Sequence, residues 1–218
     1  MATSPALVNA IVQAIQEEKS SVEVTLRRLR DAGLIPVGGR GPYAVTMDLT
    51  SAMRLLLGVC AFIPLESRAA EKAVNRFESL PGGYEGGLAA EGVGGLEDIH
   101  MAIDELRPEH TLGEALIRLL EAGGRGELFT YKDTDGARRS VYSPIGRGYL
   151  RVKFFLPVPI ARIEHVLGAS VKKIWKYGEN ISEEGYLSAL RDRHLGGRKY
   201  VIETDEYTFE YIGSAILK

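Results

Sequence analysis

The stretch Ser21–Pro36 reads SVEVTLRRLRDAGLIP and holds most of the information about the fold of the first part of the chain. Three apolar residues recur at helical spacing and would share one face: Val22, Leu26 and Leu29. Three arginines would project from the other sides: Arg27, Arg28 and Arg30. Gly33 suits the position after the end of a helix, where glycine adopts a left-handed backbone at little cost. The stretch therefore predicts an amphipathic helix with a basic exposed side.

Helical spacing continues on both sides of this stretch. The preceding segment carries Leu7, Ile11, Ala14 and Ile15 at helical spacing. A break at 16–19 then separates it from the Arg-rich helix, which Ser20 or Ser21 would cap. After the helix, residues 36–47 read as two short extended segments around the tip Gly38–Pro42, which carries Arg40. A third helix is expected from about Leu49, with five residues inward: Ala52, Met53, Leu56, Leu57 and Cys60.

This order of helix, break, helix, glycine-tipped ribbon and helix resembles a winged helix-turn-helix DNA-binding domain over residues 7–60. Within that class it is most similar to MerR-type regulators, because Thr25-Leu26-Arg27 and Gly33-Leu34-Ile35-Pro36 fall at matching spacing. It departs from them in two respects. Ser20 stands where that family has a glycine in the turn, and a Gly-rich segment with a mixed domain replaces their long dimer-forming helix. The resemblance implies the winged-helix architecture but not the effector chemistry of the family.

The resemblance and the chemistry of the side chains together predict a DNA-binding surface. The major groove admits one α-helix, and its base edges are read by side chains such as Arg and Thr. An arginine on a small-residue tip can approach the DNA backbone or enter the minor groove. The predicted DNA-binding residues are Ser21, Thr25, Arg27, Arg28, Arg30, Arg40 and Tyr43. The alternative is that residues 7–60 are a helical packing module whose arginines are only solvated.

The middle of the chain is predicted to connect two folded parts. A polar helix is expected from about Ser67 to Leu80, and PGGYEGGLAAEGVGG at 81–95 contains seven glycines, which is typical of a flexible linker. The predicted organisation is a winged helix-turn-helix domain at 1–65, a helix with a Gly-rich linker at 66–110, and an α+β domain for oligomerisation or partner binding at 111–218.

The last part of the chain mixes helix and strand signals. Thr111 and Glu114 form a capping box before a helix that Gly123-Gly124 would close. A hairpin is expected around 133–136, between strands 128–132 and 139–142. Further elements are predicted in order: strands 149–156 and 160–166, a helix 182–194, and a closing hairpin of 200–203 with 207–212. The fold class is therefore α+β, with a helical N-terminal part followed by a mixed domain with antiparallel strands.

Basic residues alternate with aromatic residues in this last part, which has two explanations. Arg151 and Lys153 lie near Tyr149 and Phe154, and three lysines surround Trp175 and Tyr177. Nucleic acid can bind such a surface through its backbone and by stacking. Half-buried strands show the same alternation, and we expect that these aromatic residues are core.

The composition excludes several classes of protein. The chain has 218 residues, 27 basic and 29 acidic, and a single cysteine, so neither a disulfide framework nor a zinc site of several thiolates can form. The N-terminal sequence is unlike a signal peptide, and no apolar run approaches the roughly 20 residues that span a bilayer. Glu97, His100 and Asp104 could share a helix face, but no second group completes a metal site. No P-loop, dinucleotide fingerprint or nucleophile elbow occurs. We expect no catalytic residues, no metal and no cofactor.

The function expected from these features is sequence-specific binding of double-stranded DNA, most simply by a cytoplasmic transcription regulator that is not an enzyme and does not bind membranes. A homo-oligomer is expected, with a dimer as the default for a protein that reads a palindrome. The segment 111–164 is also similar to uncharacterised prophage-encoded proteins, which favours a phage or mobile-element setting. Two alternatives remain: a DNA-recognition subunit of a phage packaging machine resembling small terminase subunits, and an interaction scaffold that does not bind nucleic acid.

Overall fold

Four helices precede a mixture of strands and helices in the computed structural model, which describes residues 2–37, 45–61, 69–86, 99–132, 137–140, 148–156, 158–167, 170–178 and 200–217. The helices of these residues are α1 (Ser4–Ile15), α2 (Lys19–Asp31), α3 (Leu49–Cys60), α4 (Ala69–Phe77), a short 3-10 helix (Ala102–Glu105), α5 (Leu112–Arg125) and α6 (Glu206–Leu217). The strands are β1 (Gly82–Gly86), β2 (His100–Met101), β3 (Phe129–Lys132), β4 (Arg138–Ser140), β5 (Tyr149–Leu156), β6 (Ile160–Leu167), β7 (Ser170–Tyr177) and β8 (Tyr200–Asp205). The α+β class is confirmed.

The strands form two antiparallel sheets. The larger sheet has the order β1-β7-β6-β5-β8, and the smaller has the order β2-β3-β4. β5 and β6 pair from Tyr149↔Val166 to Phe155↔Ile160, which confirms two predicted strands. β3 and β4 pair from Thr130↔Ser140 to Lys132↔Arg138, as the predicted hairpin requires. The turn of that hairpin lies outside the described residues.

The side of the large sheet that faces the helices is apolar. Side chains point alternately to the two faces of a sheet, so every second residue of a strand lies on this side. Every second residue of β5 is buried: Leu150, Val152, Phe154 and Leu156. The ring of Phe77 from α4 packs edge-on against Phe154, with 5.8 Å between ring centroids. α1 packs against α6, and α3 packs against α5. The helices of the first part of the chain and the sheet of the last part therefore share one core.

Side-chain caps begin helices α5 and α3. Thr111 Oγ1 accepts a hydrogen bond from the Glu114 backbone N–H, and the Glu114 carboxylate accepts one from the Thr111 backbone N–H, at 3.2 and 2.7 Å. This confirms the predicted capping box. In α3, Asp48 Oδ1 accepts from the Ser51 N–H at 2.7 Å, and this bond lowers the pKa of Asp48 against the opposing effect of its partial burial. Both carboxylates also interact favourably with the partial positive charge at the N-terminal end of their helix.

The prediction of a linker at 81–95 is wrong at its start. Residues 82–86 form β1, which pairs with β7 from Gly82↔Tyr177 to Gly86↔Ile174 at the edge of the large sheet. A Cβ on Gly82 would lie 2.5 Å from the Tyr177 ring, so the absence of a side chain allows this close pairing. Gly82 therefore allows close packing. Composition alone does not distinguish a glycine that allows close packing from one that makes a linker flexible. Residues 87–95 lie outside the described residues.

The prediction that Gly123-Gly124 ends its helix is also wrong. α5 continues to Arg125, and Gly126, with a φ of 72°, caps it. Gly123 and Gly124 instead lie where α5 crosses α6. A Cβ on Gly123 would lie 2.6 Å from the Phe209 carbonyl oxygen, and one on Gly124 would lie 2.6 Å from the Gly213 carbonyl oxygen. The two glycines let the two helix backbones touch.

The predicted closing hairpin is half wrong. Strand β8 matches its first arm, but the second arm is helix α6, which begins directly after Asp205. Asp205 Oδ1 accepts a hydrogen bond from the Thr208 N–H at 3.3 Å, as an N-cap does. Tyr207, Phe209 and Tyr211 alternate as in a strand, yet only Phe209 is buried. The buried residues follow helical spacing: Phe209, Ile212 and Ile216.

Other predictions fall on residues that the structure does not describe: the helix at 182–194 and the hairpin turn at 133–136. α4 lies within the predicted span Ser67–Leu80 and buries Ala70, Val74 and Phe77 as expected. Over the described ranges, no helix combines the length and apolar character needed to cross a bilayer.

The single cysteine, Cys60, is buried at the end of α3. Burial raises the pKa of its thiol to about 12, and the nearby Glu17 acts in the same direction. Since the thiolate is the reactive form, we expect the folded protein not to be alkylated by iodoacetamide at pH 8, whereas the chain unfolded in urea is alkylated within minutes. Mass spectrometry after timed quenching measures both rates. Equal rates in the two states would contradict the burial of Cys60.

Candidate nucleic-acid interface

The Arg-rich helix α2 exposes a basic side to solvent. Its apolar side is buried through Val22, Leu26 and Leu29, and its main contacts are with α1, α3 and α4. On the opposite side Arg27 and Arg28 are exposed on either side of the exposed Val24, about 100° apart around the helix axis. Ser21 is exposed one turn before Val24. The structure thus brings Ser21, Arg27 and Arg28 together on accessible surface.

Two other predicted DNA-binding residues make contacts inside the protein. Arg30 is half-buried, and its Nη2 donates to Ser4 Oγ at the start of α1 over 2.5 Å. Its buried Nε has no hydrogen-bond partner among the described residues. Thr25 is half-buried beside Gly58, where a Cβ would lie 3.1 Å from the Thr25 methyl group. Both residues hold α2 against its neighbours.

The remaining two, Arg40 and Tyr43, lie outside the described residues. The residues at the two ends of the predicted ribbon, 36–37 and 45–47, are described. Met47, its last residue, forms an antiparallel bridge with Ala2, and the Met47 N–H donates to the Ala2 carbonyl oxygen at 2.9 Å. The end of the predicted ribbon is therefore fixed at the start of α1.

The turn between α1 and α2 differs from the prediction. Gln16 ends α1 with a left-handed backbone, φ 55° and ψ 35°, whereas Ser20 lies inside the first turn of α2. The resemblance to MerR-type regulators instead predicts that Ser20 lies in the turn, where that family has a glycine. The predicted cap by Ser20 or Ser21 is also wrong, because α2 begins after Glu18 without a side-chain cap. The Glu18 carbonyl oxygen instead accepts from the Ser21 and Val22 N–H groups.

The left-handed backbone of Gln16 predicts that glycine is preferred at this position. A left-handed conformation costs a residue with a Cβ about 1 kcal/mol of stability, whereas glycine adopts it without this cost. We expect Gln16→Gly to stabilise the protein by about 0.5 kcal/mol, after allowing for the greater freedom of glycine in the unfolded chain. Urea unfolding measures the change. Gln13→Gly, in the exposed interior of α1, is the control and should destabilise by about 1 kcal/mol. Equal losses in both variants would show that Gln16 is not left-handed.

Arg54 positions the end of α2 and was not identified from the sequence. Its guanidinium donates to the Leu34 carbonyl oxygen at 2.8 Å and to the two oxygens of Glu78 at 3.0 and 2.9 Å. These bonds tie the segment after α2 to α3 and to the end of α4. No local pattern could have shown this, because the three residues are brought together only by the fold.

Among the residues that the structure describes, the basic and aromatic residues of the last part of the chain do not form a comparable surface. Phe154, Trp175 and Tyr177 are buried, as the core interpretation predicted. Arg151 binds Glu164 and Lys173 binds Asp104, each at 2.6 Å, so these cations are engaged by carboxylates. His100 Nδ1 lies 4.0 Å from Asp104 Oδ2, and Glu97 is outside the described residues. Within the described ranges, no three potential ligands cluster as a metal site would require.

Comparison with protein-family models, with curated proteins and with solved structures finds no match. The interpretation of this surface therefore depends on its own residues and contacts.

Proposed function

We propose that this protein binds double-stranded DNA sequence-specifically through α2 and acts as a transcription regulator of a phage or mobile element. The observation that carries the proposal is the exposed basic side of α2, with Arg27 and Arg28 free of hydrogen-bond or ion-pair partners in the described part of the chain. The major groove of DNA is wide enough to admit one α-helix, and the exposed side of that helix contacts the bases and phosphates.

The setting of α2 supports the proposal. α1 and α2 form a helix pair joined by a short turn, and α3 packs behind them. In a helix-turn-helix protein the second helix of the pair enters the groove while the first crosses the backbone. The bridge between Ala2 and Met47 holds the last residue of the predicted ribbon beside the start of α1.

Each predicted DNA-binding residue has a proposed role, either in contacting DNA or in fixing α2. Since Arg27 and Arg28 point about 100° apart, one of them would reach a base edge while the other meets a phosphate. Ser21 would donate to a phosphate near the start of α2. Thr25 and Arg30 would act indirectly by fixing the helix, and Arg40 and Tyr43 on the ribbon are proposed as minor-groove or backbone contacts. The exposed Glu23 and Asp31 on α2 reduce the attraction to phosphate, so each arginine matters more.

The test is a duplex titration with the full chain, using sequences selected from random duplex. We expect the affinity to fall steeply as salt rises, because phosphate contacts release counterions. Arg27→Ala and Arg28→Ala should each weaken binding about tenfold or more, since single base or phosphate contacts contribute about 1–3 kcal/mol. Arg107→Ala is the control: its side chain is 83% exposed and lies far along the chain, beside α5.

Absence of duplex binding at low salt would refute the proposal, as would an equal loss with Arg107→Ala. The mass of the protein in solution separates the kinds of DNA-binding protein. A dimer fits a regulator that reads a palindrome. A ring of many subunits would instead favour a DNA-recognition subunit of a packaging machine.

A further inference from the structure

A cleft of about 520 Å³ lies between the C-terminal ends of α1 and α3 and the adjoining ends of β5 and β8. This volume is in the range of sites that bind small organic molecules, about 300–1,000 Å³. The cleft is separate from the exposed side of α2, although Gln16 and Glu17 of the α1–α2 turn are part of its wall.

One part of the wall is apolar. Ala14 and Ile15 come from α1, Val59 from α3, and Leu150 and Ile202 from the two strands. Such a wall favours an apolar body on any ligand, because burying apolar surface contributes about 25 cal/mol per Å².

The charged part of the wall is acidic. Among the described residues of the lining, three carboxylates, Glu17, Glu203 and Asp205, face a single guanidinium, that of Arg151. Arg151 is already bonded to Glu164, with its Nε and Nη2 at 2.7 and 2.6 Å from Glu164 Oε2. Outside the lining, Lys153 lies 3.6 Å from Glu203 and 3.5 Å from Glu164, so this one cation partly neutralises two carboxylates. The cleft therefore keeps an excess of negative charge.

A buried hydroxyl gives a second and independent indication of a ligand. Thr204 lines the cleft and is only 7% exposed, and its Oγ1 has no hydrogen-bond partner among the described residues. Buried polar atoms nearly always have a partner, because an unpaired one costs about 1–3 kcal/mol. Glu203 is the next residue on the strand, so its side chain points to the other face of the sheet. Glu17, another residue of the lining, lies near Cys60 and would attract a cationic donor. A ligand N–H group can therefore satisfy Thr204 where negative charge also favours it.

We propose that this cleft binds a small organic cation, an ammonium group on an apolar body. The ammonium group would donate to Thr204 Oγ1 and interact with Glu17, while the apolar body would cover Ile15 and Ile202. A ligand that holds Glu17 also fixes the turn before α2, so the site would be linked to DNA binding. That link rests on the proposed function, whereas the ligand site does not.

The test compares three probes that share one body: 4-phenylbutylamine, 4-phenylbutanol and 4-phenylbutyrate. NMR titration of the full chain follows the backbone amides of Glu17 and Thr204. We expect the amine to bind at least about tenfold more tightly than the alcohol, and the acid not to bind, because only head-group charge differs. Equal affinities for amine and alcohol, or no binding of the amine, would overturn the proposal.

Substitutions of residues in the cleft test whether 4-phenylbutylamine binds there. Glu17→Gln and Thr204→Val should each weaken binding of 4-phenylbutylamine about tenfold, whereas Glu109→Gln, an exposed carboxylate outside the cleft, should leave it unchanged. Glu17 is exposed, so its variant keeps the test valid even where Thr204→Val fails to fold. Unchanged affinity in Glu17→Gln would overturn the proposal. Duplex titration of the same samples is a separate readout: amine binding without duplex binding refutes the proposed function and leaves this site intact.

Discussion

Gly213→Ala is expected to destabilise the protein by about 3 kcal/mol or more, a large part of an ordinary stability of about 5–15 kcal/mol. A Cβ on Gly213 would lie directly against the Leu120 carbonyl oxygen and 2.6 Å from the Gly124 N atom. These are backbone atoms of α5, which a change of side-chain rotamer cannot move. α5 and α6 would therefore have to separate, and the packing along their whole contact would loosen. Urea unfolding followed by circular dichroism measures the loss.

Gly83→Ala is the matched control for this variant. A Cβ on Gly83, in strand β1, would have no atom within 4 Å, so we expect a change within about 0.5 kcal/mol. The comparison separates the effect of a new methyl group in a tight contact from the general effect of replacing glycine. If both variants unfold at the same urea concentration, the α5–α6 crossing is not as close as described.

Arg151→Ala is expected to cost about 3 kcal/mol, because it leaves a buried carboxylate without its main partner. Glu164 is 5% exposed at its side chain and lies between β5 and β7 in the middle of the large sheet. Once Arg151 is removed, Lys153 is the one cation bound to Glu164 among the described residues, 3.5 Å from the same oxygen. The hydrogen bond to Glu164 also raises the pKa of Arg151 despite its desolvation, so the guanidinium stays charged at any ordinary pH.

Two further variants test this explanation. Replacing both partners, with Arg151→Met and Glu164→Leu together, should recover most of the loss, since an apolar pair leaves no buried charge unpaired. Arg125→Ala removes an exposed pair with Glu121 of similar length, 2.7 Å, and should cost less than about 1 kcal/mol. Thermal unfolding of the four proteins gives the comparison. A loss in Arg151→Ala no greater than in Arg125→Ala would show that Glu164 is accessible to water.

The elements predicted correctly from the sequence are those that local chemistry specifies. Thr111 and Glu114 cap α5 within four residues, and strand β5 shows its period of two in every position. The α6 segment misleads because Tyr207, Phe209 and Tyr211 satisfy a strand pattern while Phe209, Ile212 and Ile216 satisfy a helix. The contact with Gly123 and Gly124, some 85 residues earlier, favours the helix, and no local pattern contains that contact.

The same distinction applies to the candidate sites. Arg27 and Arg28 could be identified from the sequence because exposure on α2 follows from helical spacing. The contact from Arg30 to Ser4 and the bonds from Arg54 to Leu34 and Glu78 join separate elements, so spacing does not reveal them. The acidic cleft was missed for this reason too, since Glu17 and Thr204 are far apart in the sequence.

The packing of α1 against α6 has a consequence for synthesis. Roughly 190 residues separate the end of α1 from the start of α6, and ribosomes add about 5–20 residues per second. After α1 has been synthesised, about 10–40 s therefore pass before α6, which covers part of its surface, is complete. During that time the apolar side of α1 is open to chaperones, and a nascent chain stalled before residue 206 should be more sensitive to protease in α1 than the released protein.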